Sequence, residues 1–374
     1  MRYDPSFLVN LFKSKCSDTV DYMNYISHDT DMDYSKSHAE STIWAHTMLV
    51  CNNLLRDPDI SDELFLAALF HDIGKCYTKK TKKVSTSKGE RQKSVFYDHQ
   101  KIGSLLAPDF LLSMFGEDYH KMFDCRRIIE LVNLHMLFSF GFGKFEDNQY
   151  ILKPKEYQQI KAMFGDQLDL YRDLLKLIKA DSLGRITRES EYIATINKDK
   201  VLSDYLVEME NNPPSVKTET YGIAIFLIGL PGSGKSDIAR QEWWFDKISR
   251  DKLVMEKADE LGIDFNEVLM IQDLMERIEG KIHADICRYV HDKDNFVVDM
   301  ENLSLHSRRN KLSLVKPSYY KKADVVIRPM SKILEAKSAD GIIKHNSLQL
   351  LHVMAKKFNV PTSLEFDEIE YRFN

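Results

Sequence analysis

No apolar run in this 374-residue chain approaches the ~20 residues needed to cross a bilayer, and Met1-Arg-Tyr-Asp-Pro5 lacks the apolar core of a signal peptide. Both absences lead to the expectation of a cytoplasmic protein with no membrane partner. Cysteine is sparse and unpatterned: Cys16, Cys51, Cys76, Cys125 and Cys287 are odd in number and form no CxxC pair. That excludes a disulfide framework and a cysteine-built zinc site, and suits reduced thiols. There is no internal repeat and no low-complexity tract. Basic residues are not in excess, and a net charge of -5 excludes a uniformly cationic nucleic-acid coat, though not a local patch. What is left is an ordinary composition, 43% apolar and 29% charged, long enough for about two domains.

The stretch that organises the chain is Gly229-Leu-Pro-Gly232-Ser233-Gly234-Lys235-Ser236. It follows an unbroken apolar run, Tyr221–Ile228, of the kind that forms a buried parallel strand, and precedes a helix-permissive segment. Strand, glycine turn and helix together form a phosphate-binding P-loop. Its glycines let successive backbone N–H groups face phosphate oxygens, Lys235 serves the β/γ-phosphates, and the Ser236 hydroxyl serves Mg²⁺. The cofactors expected here are ATP or another NTP, with Mg²⁺.

Ahead of this motif the pattern is helical. Apolar spacing predicts helices over 6–12, 19–26, from 41 to the Asp57-Pro58 break, 62–70, 98–106, 119–137, 156–164 and 167–183. Residues 76–97 change character and read as a hairpin or loop inserted between helices. Seven basic residues lie in 79–95 (Lys79, Lys80, Lys82, Lys83, Lys88, Arg91 and Lys93) against Glu90 alone. A charge run is commonly a solvated face; this one is also a candidate contact for a nucleic-acid backbone. Asn211–Thr220, with its two prolines, reads as a linker. Beyond it strands at 221–228, 245–248, 295–299 and 323–328 alternate with helices at 266–290, 305–314, 330–337 and 346–358. Such alternation predicts a parallel sheet covered on both faces. The expected domains are therefore 1–210, all-α, and 221–374, α/β, joined by 211–220.

In the helical part, His46, the doublet His71-Asp72, His99, His135 and Asp181 stand out, and their order resembles the HD-domain phosphohydrolase superfamily over about residues 38–185. One helix supplies His46, a second ends in Phe70-His71-Asp72-Ile-Gly-Lys75, and a last one supplies Asp181. His99 and His135 match the extra histidines of some branches. Imidazoles and carboxylates are ligands suited to Mn, Fe, Co, Ni, Cu or Zn, and a bound divalent ion acidifies water for attack on phosphorus. Six ligands would allow two ions bridged by Asp72; four would hold one. Lys75 could neutralise a phosphate oxygen or be a solvated lysine. His28, His38 and His120 read as ordinary histidines.

After the P-loop, Arg250-Asp251 resembles the second motif of the polynucleotide 5'-kinase family. The resemblance makes Asp251 the base for a 5'-hydroxyl and Arg250 an orienting or phosphate contact. The other reading of Asp251 is a helix N-cap. Asp299, followed by Asn302-Leu and Arg308-Arg309, resembles the family's next element and would sit near Mg²⁺ or brace Arg250. One extra residue before Asn302 weakens transfer of a role to it. The lid segment 333–344 departs from the family in having no arginine. Lys337 and Lys344 would stand in as point charges, or Arg328 or Arg308 would supply the clamp.

The order of the two parts resembles the HD–Pnk end-healing enzymes. That resemblance implies removal of a 2',3'-cyclic, 2'- or 3'-phosphate by the first part and phosphorylation of a 5'-hydroxyl by the second. Nucleic-acid ends, RNA placed ahead of DNA, would be the substrate, with a separate ligase acting downstream. The alternative is a nucleotide-metabolism phosphohydrolase whose P-loop part is a nucleoside kinase or a nucleotide sensor.

Overall fold

The computed structural model describes residues 1–26, 42–86, 89–140, 142–146, 149–164, 166–185, 189–211, 220–339 and 347–374. His28, His38, Lys88, Lys344 and nearly all of the expected linker lie outside them. The chain divides into two compact units. The first is Met1–Pro214 with Pro329–Ser331 and Leu348–Lys356; the second is Ser215–Arg328, Lys332–Ser347 and Lys357–Asn374.

The first unit is helical. It opens with α1 (Pro5–Lys15), α2 (Ser17–Tyr25), α3 (Ile43–Leu54), α4 (Asp62–Phe70) and the single turn α5 (Lys75–Thr78). A hairpin of β1 (Lys80–Thr86) and β2 (Gly89–Val95) follows, as the change of composition at 76–97 predicts. Then come α6 (His99–Phe115), α7 (Tyr119–Met122), α8 (Cys125–Leu134), α9 (Leu137–Phe140), the small pair β3 (Lys144–Glu146) and β4 (Gln149–Ile151), α10 (Pro154–Phe164), α11 (Leu168–Leu183) and α12 (Glu189–Asn211).

Local chemistry sets the boundaries. Thr42, Ser61 and Asp124 cap α3, α4 and α8, their side-chain oxygens accepting from the N–H of Ala45, Leu64 and Arg127. The Asp124 N-cap separates α7 from α8 and the His135 C-cap ends α8, so the helix expected over 119–137 is three pieces. Helix α6 instead runs on to Phe115, past Pro108. Eight of the nine residues of α4 are buried, so this helix is the axis around which α1, α3, α6, α8 and α11 collect.

The second unit is a five-stranded sheet, all parallel, built from β5 (Gly222–Ile228), β6 (Asp246–Ser249), β7 (Phe296–Asp299), β8 (Tyr319–Ile327) and β9 (Glu368–Phe373), in the order β6-β7-β5-β8-β9. Helices α13 (Lys235–Gln241), α14 (Arg250–Leu261), α15 (Phe265–Met270), α16 (Gln272–Asp292), α17 (Leu305–Leu312) and most of α18 (Met330–Ala339) intervene, whereas α19 (Ser347–Ala355), apart from Ser347, is counted with the first unit. The helix expected over 266–290 is interrupted by Ile271, which is extended (φ -94°, ψ 103°). Strand β5 is central, and the chain leaves it first toward β6 and later toward β8. Its carboxyl end is thus a topological switch point, where α/β folds bind ligands.

A buried ion pair closes this unit. Arg308 is 0% exposed; its Nε and Nη2 donate to Glu365 at 2.8 and 2.9 Å, and its Nη1 donates to the carbonyls of Asn302, Leu303 and Asn359. Every donor direction of the guanidinium is directed at the protein, so Arg308 is unavailable as a phosphate clamp. Asn302 is likewise structural: buried, at φ +45°, it donates to the carbonyls of Leu227 and Val298. Arg308→Ala would leave Glu365 buried without its cation, at a cost of about 3–5 kcal/mol. The expected outcome is an unfolding free energy lowered by that amount, read as a lower urea midpoint, and an unchanged midpoint would refute the keystone role.

Two candidate sites for phosphate chemistry

In the helical unit, five elements bring six side chains together. His46 comes from α3, His71 and Asp72 from the turn after α4, His99 from the first residue of α6, His135 from the C-cap of α8, and Asp181 from α11. All six are 5% exposed or less. The three histidines at helix ends share one device: Nδ1 of His71, His99 and His135 lies 2.7–2.8 Å from the carbonyl three residues back, of Ala68, Phe96 and Val132. His46 Nδ1 reaches the carbonyl of Gly184 at 3.4 Å. A carbonyl only accepts, so Nδ1 of His71, His99 and His135 carries a proton and their Nε2 atoms face inward, the arrangement of metal-binding imidazoles.

The carboxyl of Asp72 stands between two histidine groups. Its Oδ2 lies 3.4 Å from His71 Nε2 and 3.8 Å from His46 Nε2, while its Oδ1 lies 3.3 Å from His99 Nε2 and 4.0 Å from His135 Nε2. Two triads, His46/His71/Asp72 and Asp72/His99/His135, each have ligand atoms within 4.8 Å of one another. Asp181 Oδ1 adds a contact to His46 Nε2 at 2.9 Å.

The donor chemistry fits a cation. Nε2 of His99 and of His135 are 3.2 Å apart, and with both protons on Nδ1 neither can donate to the other. His71 Nε2 is buried without a hydrogen bond among the described residues. Burial, then His99 and His71, pushes His135 down to about 3, so it is a neutral base at working pH. Asp72 and Asp181 lie well below the usual carboxylate range: burial opposes ionisation, but Lys75 and His71 for the one, and Arg185 and His46 for the other, outweigh it.

Lys75 is buried, and its Nζ lies 2.6 Å from Asp72 Oδ2. Arg185, absent from the sequence reading, meets Asp181 Oδ2 at 2.7 Å; the signal was its i, i+4 spacing from Asp181. His120 is exposed, edge-on to Tyr119, and in neither triad.

In the second unit, the loop between β5 and α13 carries Gly229, Gly232, Ser233, Gly234, Lys235 and Ser236. Gly234 has φ +97°, and a Cβ on Gly229 would lie 2.5 Å from the Val326 carbonyl oxygen, so both must be glycine for the loop to wrap. Lys235 Nζ is folded back onto the loop, donating to the carbonyls of Gly229 and Leu230 at 3.0 and 2.8 Å. Burial lowers its pKa, while Glu301, Asp299 and Asp251 oppose that shift. Ser236 is exposed on the first turn of α13.

Asp251 sits in the first turn of α14, but Ser249 is the N-cap, accepting from Lys252 N–H, so capping does not explain the aspartate. Removal from water, then Glu301 and Asp299, raises its pKa against the pull of Lys235 and Arg250. Arg250 ion-pairs with Glu279 and, at 3.7 Å, with Glu301. Among the described residues the brace on Arg250 is these two glutamates, not Asp299. Sequence reasoning passed over Glu301, whose only signal was its position two residues after Asp299. On the lid helix, Lys337 Cε lies 3.5 Å from where a Gly232 Cβ would be, and Arg328 Nη1 lies 3.5 Å from the Gly232 carbonyl oxygen. Those are two of the cations proposed to replace the missing lid arginines.

Residues 44–178 match the HD domain family, a span that takes in His46 through His135 and stops short of Asp181. No curated protein matches the chain. Among solved structures it is similar to a Pnkp1/Rnl/Hen1 complex (22% identity over 32% of this chain and 40% of that one, TM-score 0.28). A structure of the Pnkp1/Rnl/Hen1 RNA repair complex is similar at 21% identity over 42% of this chain and 52% of that one, TM-score 0.31. A gluconokinase from Sinorhizobium meliloti is similar at 16% identity over 41% and 84%, TM-score 0.29. The chain thus spans well under two thirds of the first of these.

Gly74 offers a test of the first site. A Cβ there would lie 1.9 Å from the backbone oxygen of His99, an obstacle no side-chain rotation relieves. Gly74→Ala is expected to force α6 away, lowering the melting temperature and the divalent-ion content together. Retention of both would show that the close approach is dispensable.

Proposed function

We propose that this chain, an HD domain ahead of a P-loop α/β unit, heals broken polynucleotide ends. The HD part would remove a 2',3'-cyclic, 2'- or 3'-phosphate, and the P-loop part would phosphorylate a 5'-hydroxyl from NTP. RNA ends are placed ahead of DNA ends, and a separate ligase would consume the product. The observation that carries the reading is the carboxylate pair of roles. Asp72 stands between two histidine groups, and Asp251, raised in pKa, shares its electrostatic surroundings with P-loop Lys235.

At the HD site, His46, His71, Asp72, His99, His135 and Asp181 would hold divalent transition-metal ions, two of them if Asp72 bridges. Such ions supply acidified water and neutralise phosphate charge. The chain itself contributes imidazoles oriented by their Nδ1 bonds, ionised carboxylates, and Lys75 beside Asp72 to offset the charge of an incoming phosphoester. At the kinase site Asp251 takes the proton of the attacking hydroxyl, and Lys235 exchanges its loop carbonyls for phosphate oxygens. Ser236 and Asp299 would serve Mg²⁺. Lys337, and Arg328 beside it, flank the donor. Phosphoryl transfer needs little covalent help beyond such positioning.

The direct test is one RNA strand with a 5'-hydroxyl and a 3'-phosphate, incubated with ATP and a panel of divalent metals. Both ends should change, and the reading falls if both survive, or if only mononucleotides react. Asp251→Asn and Lys235→Ala should abolish 5'-labelling while 3'-phosphate release continues. A base whose pKa is raised is protonated, and lost, as pH falls through a value above the ordinary ~4 of a carboxylate. The acid limb of the labelling profile should therefore lie above that value, and a limb at or below it would exclude Asp251. Elemental analysis should find two divalent ions per chain, falling to one in His99→Ala; one ion in both proteins would exclude the bridged site.

A further inference from the structure

The hairpin of β1 and β2 segregates its charge by face. In its register Lys80 pairs with Val95, Lys82 with Lys93 and Val84 with Arg91, while Thr81 pairs with Ser94, Lys83 with Gln92 and Ser85 with Glu90. Paired residues share a face and alternate residues change face. Positions 80, 82, 91 and 93, all basic, thus occupy one face with two valines, and the hairpin's acid, Glu90, occupies the other. There Glu90 lies 3.9 Å from Lys83, the cation of its own face. Lys80 and Lys82 are exposed and have no ion-pair partner among the described residues. Lysines that merely guard a strand edge from aggregation need no such sorting.

Both ends of the hairpin are tied to the HD site. The strand entering it follows Lys75 and the single turn α5, and the strand leaving it runs into Phe96. The Phe96 carbonyl holds His99 Nδ1 at 2.8 Å, and its ring lies 5.6 Å from Lys75 Nζ.

We propose that the Lys80/Lys82 face of this hairpin is a track for the phosphodiester backbone of a nucleic-acid strand whose end is processed at the HD site. The assignment of the strand's end rests on the end-healing function; the track itself does not. Same-face residues two apart along a strand are about 6.8 Å apart, comparable to successive phosphates of an extended strand. Two valines are the face's apolar content, too little to favour insertion into a bilayer. Recognition by lysines on a backbone is independent of sequence and strongly salt-dependent.

The test compares neighbouring lysines on opposite faces. Binding of a fluorescent single-stranded RNA with inert 3'-hydroxyl ends is measured by anisotropy across a salt series, for wild type, Lys82→Gln, Lys80→Gln/Lys82→Gln and Lys83→Gln. On single strands each lost phosphate contact reduces the log–log salt slope by about 0.7. Lys82→Gln should therefore lose about 0.7 and the double variant about 1.4, with weaker binding in both, while Lys83→Gln matches wild type. Matching circular dichroism and melting temperatures would show the variants folded. Equal losses in Lys82→Gln and Lys83→Gln, or no loss in either, would overturn the proposal. So would binding to phosphatidylserine vesicles without binding to RNA. Face-dependent RNA binding by a protein that leaves 3'-phosphate ends intact would sink the end-healing reading and leave the track standing.

Discussion

The helical unit depends on where one carboxyl group is held. Asp72 is buried, ionised and within 4.0 Å of four imidazole nitrogens contributed by four different elements. An isolated buried anion is costly, so the surrounding helices must present compensating groups at fixed distances. Lys75 does so on one oxygen, and imidazole nitrogens stand around both. The carbonyls of Ala68 and Val132, which helix C-termini leave unpaired, and that of Phe96, which precedes α6, are the other half of this constraint. Secondary structure and site chemistry thereby satisfy each other: the helices end where the histidines are needed, and the histidines complete the ends.

The P-loop unit is held from the opposite direction, by a cation. Arg308 gathers Glu365 and the carbonyls at 302, 303 and 359, fixing the segment that leads into β9. Just after that strand, the side-chain amide of Asn374 donates to the Ser233 carbonyl at 2.9 Å and lies 2.6 Å from where a Gly234 Cβ would be. The phosphate loop therefore rests on a support assembled from the far end of the chain.

Much of this was legible in residue order. The doublet at the end of an apolar helix, the glycine loop after an apolar strand and the hairpin between helices all follow from local composition. Pairings across elements were not: nothing in the spacing of 46, 71, 99 and 135 says which two histidines share an oxygen of Asp72. Arg308 looked like a mobile clamp because its partner, Glu365, lies 57 residues away. Strand β9 went unread although Ile369, Tyr371 and Phe373 alternate with Glu368, Glu370 and Arg372, because its charged residues dominate a short stretch. The break at Ile271 is hidden by helical spacing on both sides of it.

The folded-back ammonium of Lys235 has a consequence for how an arriving nucleotide gains from it. The lysine already makes two hydrogen bonds to loop carbonyls, so a phosphate replaces bonds rather than adding them. Such an exchange yields less net free energy than two added bonds would. The return comes when charge builds on the transferring group, where an ammonium outcompetes what a carbonyl dipole offered it. A side chain with an internal stand-in is thus weighted toward rate over affinity. Holding the nucleotide in place then falls to the backbone amides of the loop.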